Sequence, residues 1–285
     1  MNNERLRREL FQQTSLLRSY RSVLSTAMPY CVDLNMRDFL HTATKLPKNL
    51  QARSRCLEAV CTDAKLDLAT HILLNETKST RPFTTPSFSW EALDLGSSAF
   101  GITSIAVFAL DTANVCRTFE AASNAIVNCA VMWPNYSLTN SSVKRMDMLS
   151  TKLGIRYEVS NRRFQSGSSG EQVILENRDI SYGRVGDESS VLIWDFVDED
   201  EEFPLNKATT VKRSTIGALL VRPERCDDGE ERVVCRYICT KLHAMNTPEL
   251  PPDIQRFARS SQLGAKLADS MVYEAIKGVV TLSAM

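Results

Sequence analysis

Between residues 155 and 242 apolar runs and turn residues follow one another closely, and this stretch constrains the fold more than any other. Ile155, Tyr157 and Val159 alternate with Arg156, Glu158 and Ser160, and Val173 and Leu175 with Ile174 and Glu176. Val191 to Val197 is almost continuously apolar, and Val211 to Val221 and Arg232 to Leu242 are two further long runs. The separators are turn chemistry: Ser166-Gly167-Ser168-Ser169-Gly170, then Gly183 and Gly186, then Asp227-Asp228-Gly229. A parallel crossover needs about a dozen residues or more, so these connections predict an antiparallel meander of at least five strands.

The flanks are helical. Phe100 to Leu110 reads as one more strand, with Asp111 and Thr112 as helix-start signals after it. Val115, Phe119, Ala122, Ile126 and Cys129 then recur at helical spacing as far as Trp133, and Pro134 stops the helix. After Pro251-Pro252-Asp253 the stripe Ile254, Phe257, Leu267, Met271, Ala275 and Val279 predicts one long closing helix to about residue 283. At 1.5 Å per residue it would reach roughly 45 Å, which needs a large concave partner such as a curved sheet.

Upstream, Leu6, Leu10, Leu17, Tyr20 and Leu24 form a heptad seam interrupted at Gln13, and Pro29 ends that helix. The seam is read either as an amphipathic helix packed on its own domain or as a short zipper that pairs with a second copy or a partner helix through residues 3–26. Met36, Phe39 and Leu40 mark one helical cluster, and Leu57, Val60, Cys61, Leu66, Ile72 and Leu73 mark a second helix or a pair. Thr77 to Ser89 is rich in Thr, Ser and Pro and reads as a linker. The predicted organisation is a helix over 1–28, a helical segment over 29–76, a linker over 77–89 and a domain over 90–285.

With 34 basic and 34 acidic residues the chain has no formal net charge, so strong overall attraction to nucleic acid or anionic membrane is not expected. No stretch is long and apolar enough for a membrane span, and the N-terminal MNNERLRREL has no signal-like apolar region. Eight cysteines without a CxxC pair, and without paired histidines, read as the free thiols of an intracellular protein, cytoplasmic or nuclear, with no metal site. The run Asp198-Glu199-Asp200-Glu201-Glu202 reads as a solvated hairpin loop.

No GxSxG, P-loop, GxGxxG or HExxH motif occurs. Cys239 and His243 share one strand face, but about 13 Å apart, too far for direct proton transfer. The chain is therefore expected not to be an enzyme and to need no cofactor.

The pieces FGITSIAVFAL, DTANVCRTFEAASNAIVNCAVMW, SSVLIWDFV, STIGALLVRP, VVCRYICTKL and PPDIQRFARSSQLGAKLADSMVYEAI span residues 99–285. Their order resembles the helix-grip fold of the START-like superfamily, the lipid-transfer relatives of the steroidogenic acute regulatory protein. The whole arrangement also looks like oomycete-type proteins that join a short zipper-like helix to a START-like domain. The start NNERLRREL holds no complete basic DNA-reading region, so nucleic acid is not an expected partner. The resemblance implies an α+β fold, a curved antiparallel sheet wrapped on a long C-terminal helix with helices before it. It also implies an internal cavity that binds one lipid, sterol or other hydrophobic molecule without catalysis. On that expectation Arg178, Tyr182, Arg213, Tyr237 and His243 are candidates to orient the ligand's polar end, and Trp133, Trp194 and Met271 are candidates for the apolar wall. The alternative is an interaction or transcription-regulatory scaffold working through the N-terminal seam with no ligand.

Overall fold

A computed structural model describes residues 34–83, 86–94, 99–128, 136–149, 151–167, 169–206, 210–226, 228–244 and 269–279. The seam residues Leu6, Leu10, Leu17, Tyr20 and Leu24 and the 1–28 helix lie outside the described residues, as does Trp133.

Among the described residues three helices come first, each started by a side-chain cap. Asn35 accepts from the Arg37 amide ahead of α1 (Met36–Leu40), Asn49 from that of Ala52 ahead of α2 (Leu50–Val60), and Thr62 from that of Lys65 ahead of α3 (Asp63–Glu76). A two-residue strand, β1 (Lys45–Leu46), sits between α1 and α2. Then come β2 (Ser87–Asp94), which starts inside the stretch read as a linker, β3 (Ala99–Leu110) and α4 (Val115–Asn128). The long run follows as β4 (Tyr136–Leu149), β5 (Ile155–Ser166), β6 (Gln172–Arg184), β7 (Ser190–Phe196), β8 (Glu199–Asp200), β9 (Thr210–Arg225) and β10 (Glu231–Ala244). Residues 269–279 are helical and are called α5 here; the earlier part of the expected closing helix lies outside the described residues.

Eight strands make one sheet in the order β2-β3-β10-β9-β7-β6-β5-β4. The predicted meander is therefore present, closed on one edge by the hairpin β2–β3 and on the other by β4. Gly154, Gly170 and Gly229 take positive φ in the β4–β5, β5–β6 and β9–β10 turns, where a side chain would be strained. Gly183 is no turn residue: β6 runs through it, and a Cβ there would come within 2.6 Å of the Val191 carbonyl oxygen. One pairing departs from the meander. Ile174 to Asn177 of β6 run parallel beside Thr210 to Arg213 of β9. β7 has only 7 residues and β9 has 16, so past the end of β7 the longer strand reaches its next neighbour.

Both faces of the sheet are covered. On one, the cap face, α1 to α3 pack Phe39, Leu57, Leu66 and Ile72 against Ile193, Ile216, Ala218 and Ile238. On the other, the hollow face, α4 and α5 pack Phe119, Ala122, Val272 and Ile276 against Phe108, Leu192, Leu219 and Cys235. Such a helix–sheet–helix sandwich explains why every residue of β7 is buried and why its sequence lacks alternation.

Buried polar bonds pin the cap to the sheet. Thr103 donates to the Leu34 carbonyl at 2.5 Å, and Thr240 accepts from the Met36 amide at 2.9 Å. At the far end Arg236 donates to the Thr77 carbonyl and hydroxyl at 2.9 and 2.7 Å while holding Glu224 with both arms of its fork. The acidic run corrects the expectation of a solvated loop. β8 pairs with β1, Asp198 accepts from the Thr44 amide at 2.8 Å, and Asp200 receives Arg53 of α2. The run is the strap that fastens the cap.

His41 belongs to the same fastening. Its ring stacks on Phe196 at 4.2 Å, with Nδ1 2.8 Å from Asp195 and Nε2 3.2 Å from Asp198. Burial alone would lower its pKa, but the two carboxylates outweigh burial and hold it above the ordinary histidine value. A raised folded value stabilises the fold below the unfolded pKa, and this contribution is lost as pH rises through the folded one. The stability deficit of His41→Gln against wild type should accordingly be larger at about pH 5.5 than at about pH 9, read by urea unfolding at both. A deficit independent of pH would show that His41 does not act as a charged fastener.

Candidate functional site

Strand register decides which polar residues face inward on the hollow face. On β5 and β6, Glu158 lies beside Asp179, Ser160 beside Asn177 and Arg156 beside Ser181. The parallel stretch sets Asn177 beside Arg213, and the β9–β10 ladder sets Thr215 beside Lys241. Under α4 and α5 these side chains line a hollow of about 60 Å³, with Ile126, Trp194, Tyr237, Cys239 and Val272 as its apolar wall. Trp194 reaches this wall because residue 217 is glycine: a Cβ there would meet the indole at 2.3 Å. The indole stacks on Tyr237 with ring centres 5.5 Å apart.

A second, smaller hollow adjoins it, lined by Phe88, Ala106, Phe108, Leu219 and Ile276 and sharing Ile126, Tyr237, Asp269 and Val272 with the first. The boundary is held by Asp269, which accepts from Lys241 Nζ at 2.8 Å, the Tyr237 hydroxyl at 3.1 Å and Trp90 Nε1 at 2.8 Å. This carboxylate ties α5 to β2 and β10. Beneath α4 a third hollow of about 410 Å³ shares Arg156 and Ser181 with the polar one. On the surface an open groove of about 860 Å³ runs between α4 and α5.

The polar hollow is charged. Arg156 pairs with Glu158, and Lys241 with Asp269. Burial pushes the Asp179 carboxyl up to about 6, with Arg213 and Arg162 pulling the other way. Burial also raises the Cys239 thiol, which keeps it protonated and a poor nucleophile. Asn177 Oδ1, Asp179 Oδ1 and Arg156 Nε are buried without a hydrogen-bond partner among the described residues. Buried polar atoms are normally paired, so three orphans around one hollow mark it as built for something more than packing.

Of the eight expected ligand residues, Trp194, Arg213 and Tyr237 come together in this hollow. Arg178 and Tyr182 fall on the opposite face: on β6 the even-numbered residues point to the cap, where Arg178 donates to Glu176 at 2.7 Å and to the Phe203 carbonyl at 2.6 Å. Tyr182 packs into the cap-face core, and its strand borders the hollow beneath α4. Met271 lines the open groove. His243 lies on β10, with its side chain outside the described residues. Sequence reasoning missed Arg156, Glu158, Arg162, Asn177, Asp179, Lys241 and Asp269. A signal was present: the unbroken apolar run of β7 requires cover on both faces, so polar alternates on the neighbouring β5 and β6 lie under that cover too.

No known protein family matches the sequence, and neither does any curated protein. Among solved structures the chain is similar to human STARD10, with 11% identity, a TM-score of 0.36, and 66% of this chain and 72% of that one covered. It is also similar to the lipid transfer and protein localization domain of human StarD13, with 10% identity, a TM-score of 0.34, and 73% and 95% covered. A third likeness is to protein NE0264 of Nitrosomonas europaea, with 11% identity, a TM-score of 0.30, and 64% and 96% covered. Among the described residues no helix is long and apolar enough to cross a membrane.

Proposed function

We propose that this chain is a START-like, helix-grip module that binds one amphipathic molecule of the lipid or sterol class without catalysis. The observation that carries this reading is the pair of joined hollows beneath α4 and α5, one walled by Phe88, Phe108, Leu219 and Ile276, the other floored by charged strand residues. An apolar body fits the first and a polar end the second, which is the usual division of a small-molecule site. Apolar burial would supply about 25 cal/mol per Å². The hollows as they stand hold only a few waters' worth of room, whereas ligand pockets commonly run to about 300–1,000 Å³. Entry therefore requires α5 to move, and the Asp269 contacts with Trp90, Tyr237 and Lys241 are what it must release.

Catalysis has little to work with here: Cys239 is held protonated, and Glu158 and Asp269 are each committed to a cation. The setting we infer is intracellular, in keeping with the free thiols of Cys56, Cys61, Cys116, Cys226, Cys235 and Cys239. Native mass spectrometry of the gently purified chain, followed by lipid extraction, tests the reading. One adduct of lipid mass per chain is expected. A protein that carries nothing and takes up no fatty acid, phospholipid or sterol would overturn it.

A further inference from the structure

We infer that the ligand's polar end is an anion that also carries a hydrogen-bond donor, and that Arg213 is the residue that receives it. The inference rests on the ligand reading above and assigns the chemistry of the same site.

The charges of the polar hollow do not cancel. Its lining sets the four cations Arg156, Arg162, Arg213 and Lys241 against the three carboxylates Glu158, Asp179 and Asp269. Arg213 is the uncommitted group. Its guanidinium is half-buried, lines the hollow and makes no hydrogen bond or ion pair with any described residue. Other arginines of the sheet are engaged: Arg178 with Glu176, Arg236 with Glu224, Arg156 with Glu158. A half-buried planar fork of donors with no acceptor among the described residues suits a carboxylate or phosphate gripped by two bonds.

The donor requirement comes from the neighbouring orphans. Asn177, 3% exposed, sits beside Arg213 on the parallel ladder with Oδ1 unpartnered, and Asp179 Oδ1 is unpartnered on the same face. An anion alone would satisfy Arg213 and leave both acceptors empty. A hydroxyl or protonated amine next to the anion would donate to them. The elevated Asp179 carboxyl fits the same picture, since a donor or cation placed against it would draw it back down.

The test uses the full chain and three probes of equal acyl length, below their micellar concentrations and followed by calorimetry. Myristoyl lysophosphatidate carries phosphate and a hydroxyl, 2-hydroxymyristate carries carboxylate and a hydroxyl, and monomyristin carries hydroxyls and no charge. At least one anionic probe should bind tenfold or more tightly than monomyristin, and whichever it is names the anion. Arg213→Met should weaken that anionic probe by about tenfold to a hundredfold, the worth of a charge-assisted bond, while leaving monomyristin within about threefold. Arg213 makes no hydrogen bond to a described residue, so the variant should lose no more than the attraction to Asp179 and melt close to wild type. Should it not, Arg213→Lys keeps the charge, forfeits the fork, and should fall between the two. If all three probes bind alike, or if Arg213→Met leaves the anionic probes unchanged, the anion assignment is overturned while the ligand reading stands. If none binds, the anion assignment falls, and the ligand reading falls with it only when the chain also carries no lipid adduct and takes up no phospholipid or sterol.

Discussion

Asp200→Ala should cost roughly 3–5 kcal/mol of folding stability, the usual result of removing one partner from a buried ion pair. The residue comes from the acidic run that reads in isolation as solvent-exposed, yet it is 3% exposed. It receives Arg53 Nη1 at 3.0 Å and Nη2 at 2.5 Å, the Tyr157 hydroxyl at 2.6 Å, and the amides of Glu202 and Phe203 at 3.0 and 3.3 Å. Without it, Arg53, 1% exposed on α2, keeps among the described residues the Asp147 carboxylate at 3.2 Å, the more distant Glu202, the Pro47 carbonyl at 3.3 Å and the face of the Tyr157 ring at 4.9 Å. A guanidinium left in that position is the expensive part. Glu199→Ala, which removes an exposed partner of Lys45 in the same strap, should leave the unfolding midpoint where it is. The pH dependence gives a second reading. Burial alone would raise the Asp200 carboxyl, but Arg53 and Tyr157 hold it below the usual range. Its contribution is therefore complete above the unfolded value of about 4 and is lost as pH falls through the lower folded one. Urea titrations should show wild type and Asp200→Ala far apart at neutral pH and converging in strong acid. A gap under about 1 kcal/mol at neutral pH would mean the strap is decoration rather than fastening.

The strap also shows what a sequence can and cannot disclose. Strands β5, β6, β7, β9 and β10 are legible because each carries its own alternation or unbroken apolar run and its own turn residues. So are α2 and α3, from Leu57, Leu66 and Ile72, and α4, from Val115, Phe119 and Ala122. β4 is not legible. Its residues TNSSVKRMDM are polar on both faces and mostly exposed, and what fastens the strand beside the β5 ladder is long-range charge pairing, Asp147 with Arg53, Arg145 with Glu202 and Lys144 with Glu176. The partners of the acidic run, His41, Lys45, Arg53 and Arg145, stand far from it in sequence. No local pattern encodes that meeting. The site failed for a related reason. Arg178 and Arg213 look alike in sequence, and only the register of two ladders sends the first to the cap and the second to the hollow.

Leu66→Ala should cost about 2–5 kcal/mol and, more tellingly, should lower the stability of the sheet together with that of the cap. Leu66 is fully buried on α3, in one cluster with Ile193, Ile216, Ala218, Leu220 and Ile238 from the middle strands. Without the helices each of those side chains would face water, and burying a large aliphatic side chain is worth about 1.5–3 kcal/mol. A sheet whose other face is partly hollow has little to set against that loss. The cap and the sheet are thus expected to unfold as one cooperative unit, although the sequence between them reads as a linker. Urea titration followed at once by far-ultraviolet dichroism and by tryptophan emission separates the cases, because Trp194 reports from the face opposite the cap. In Leu66→Ala both signals should move to the same lower midpoint. If emission keeps the wild-type midpoint while helical signal is lost early, the N-terminal helices are a separate domain laid against a self-sufficient sheet. The single-unit outcome bears on binding as well. Trp194 and Ile193 are adjacent on β7 and face opposite ways, so the strand that forms the floor of the ligand hollow is held from behind by the cap. A ligand that stabilises the hollow should then raise the midpoint of Leu66→Ala in both signals together.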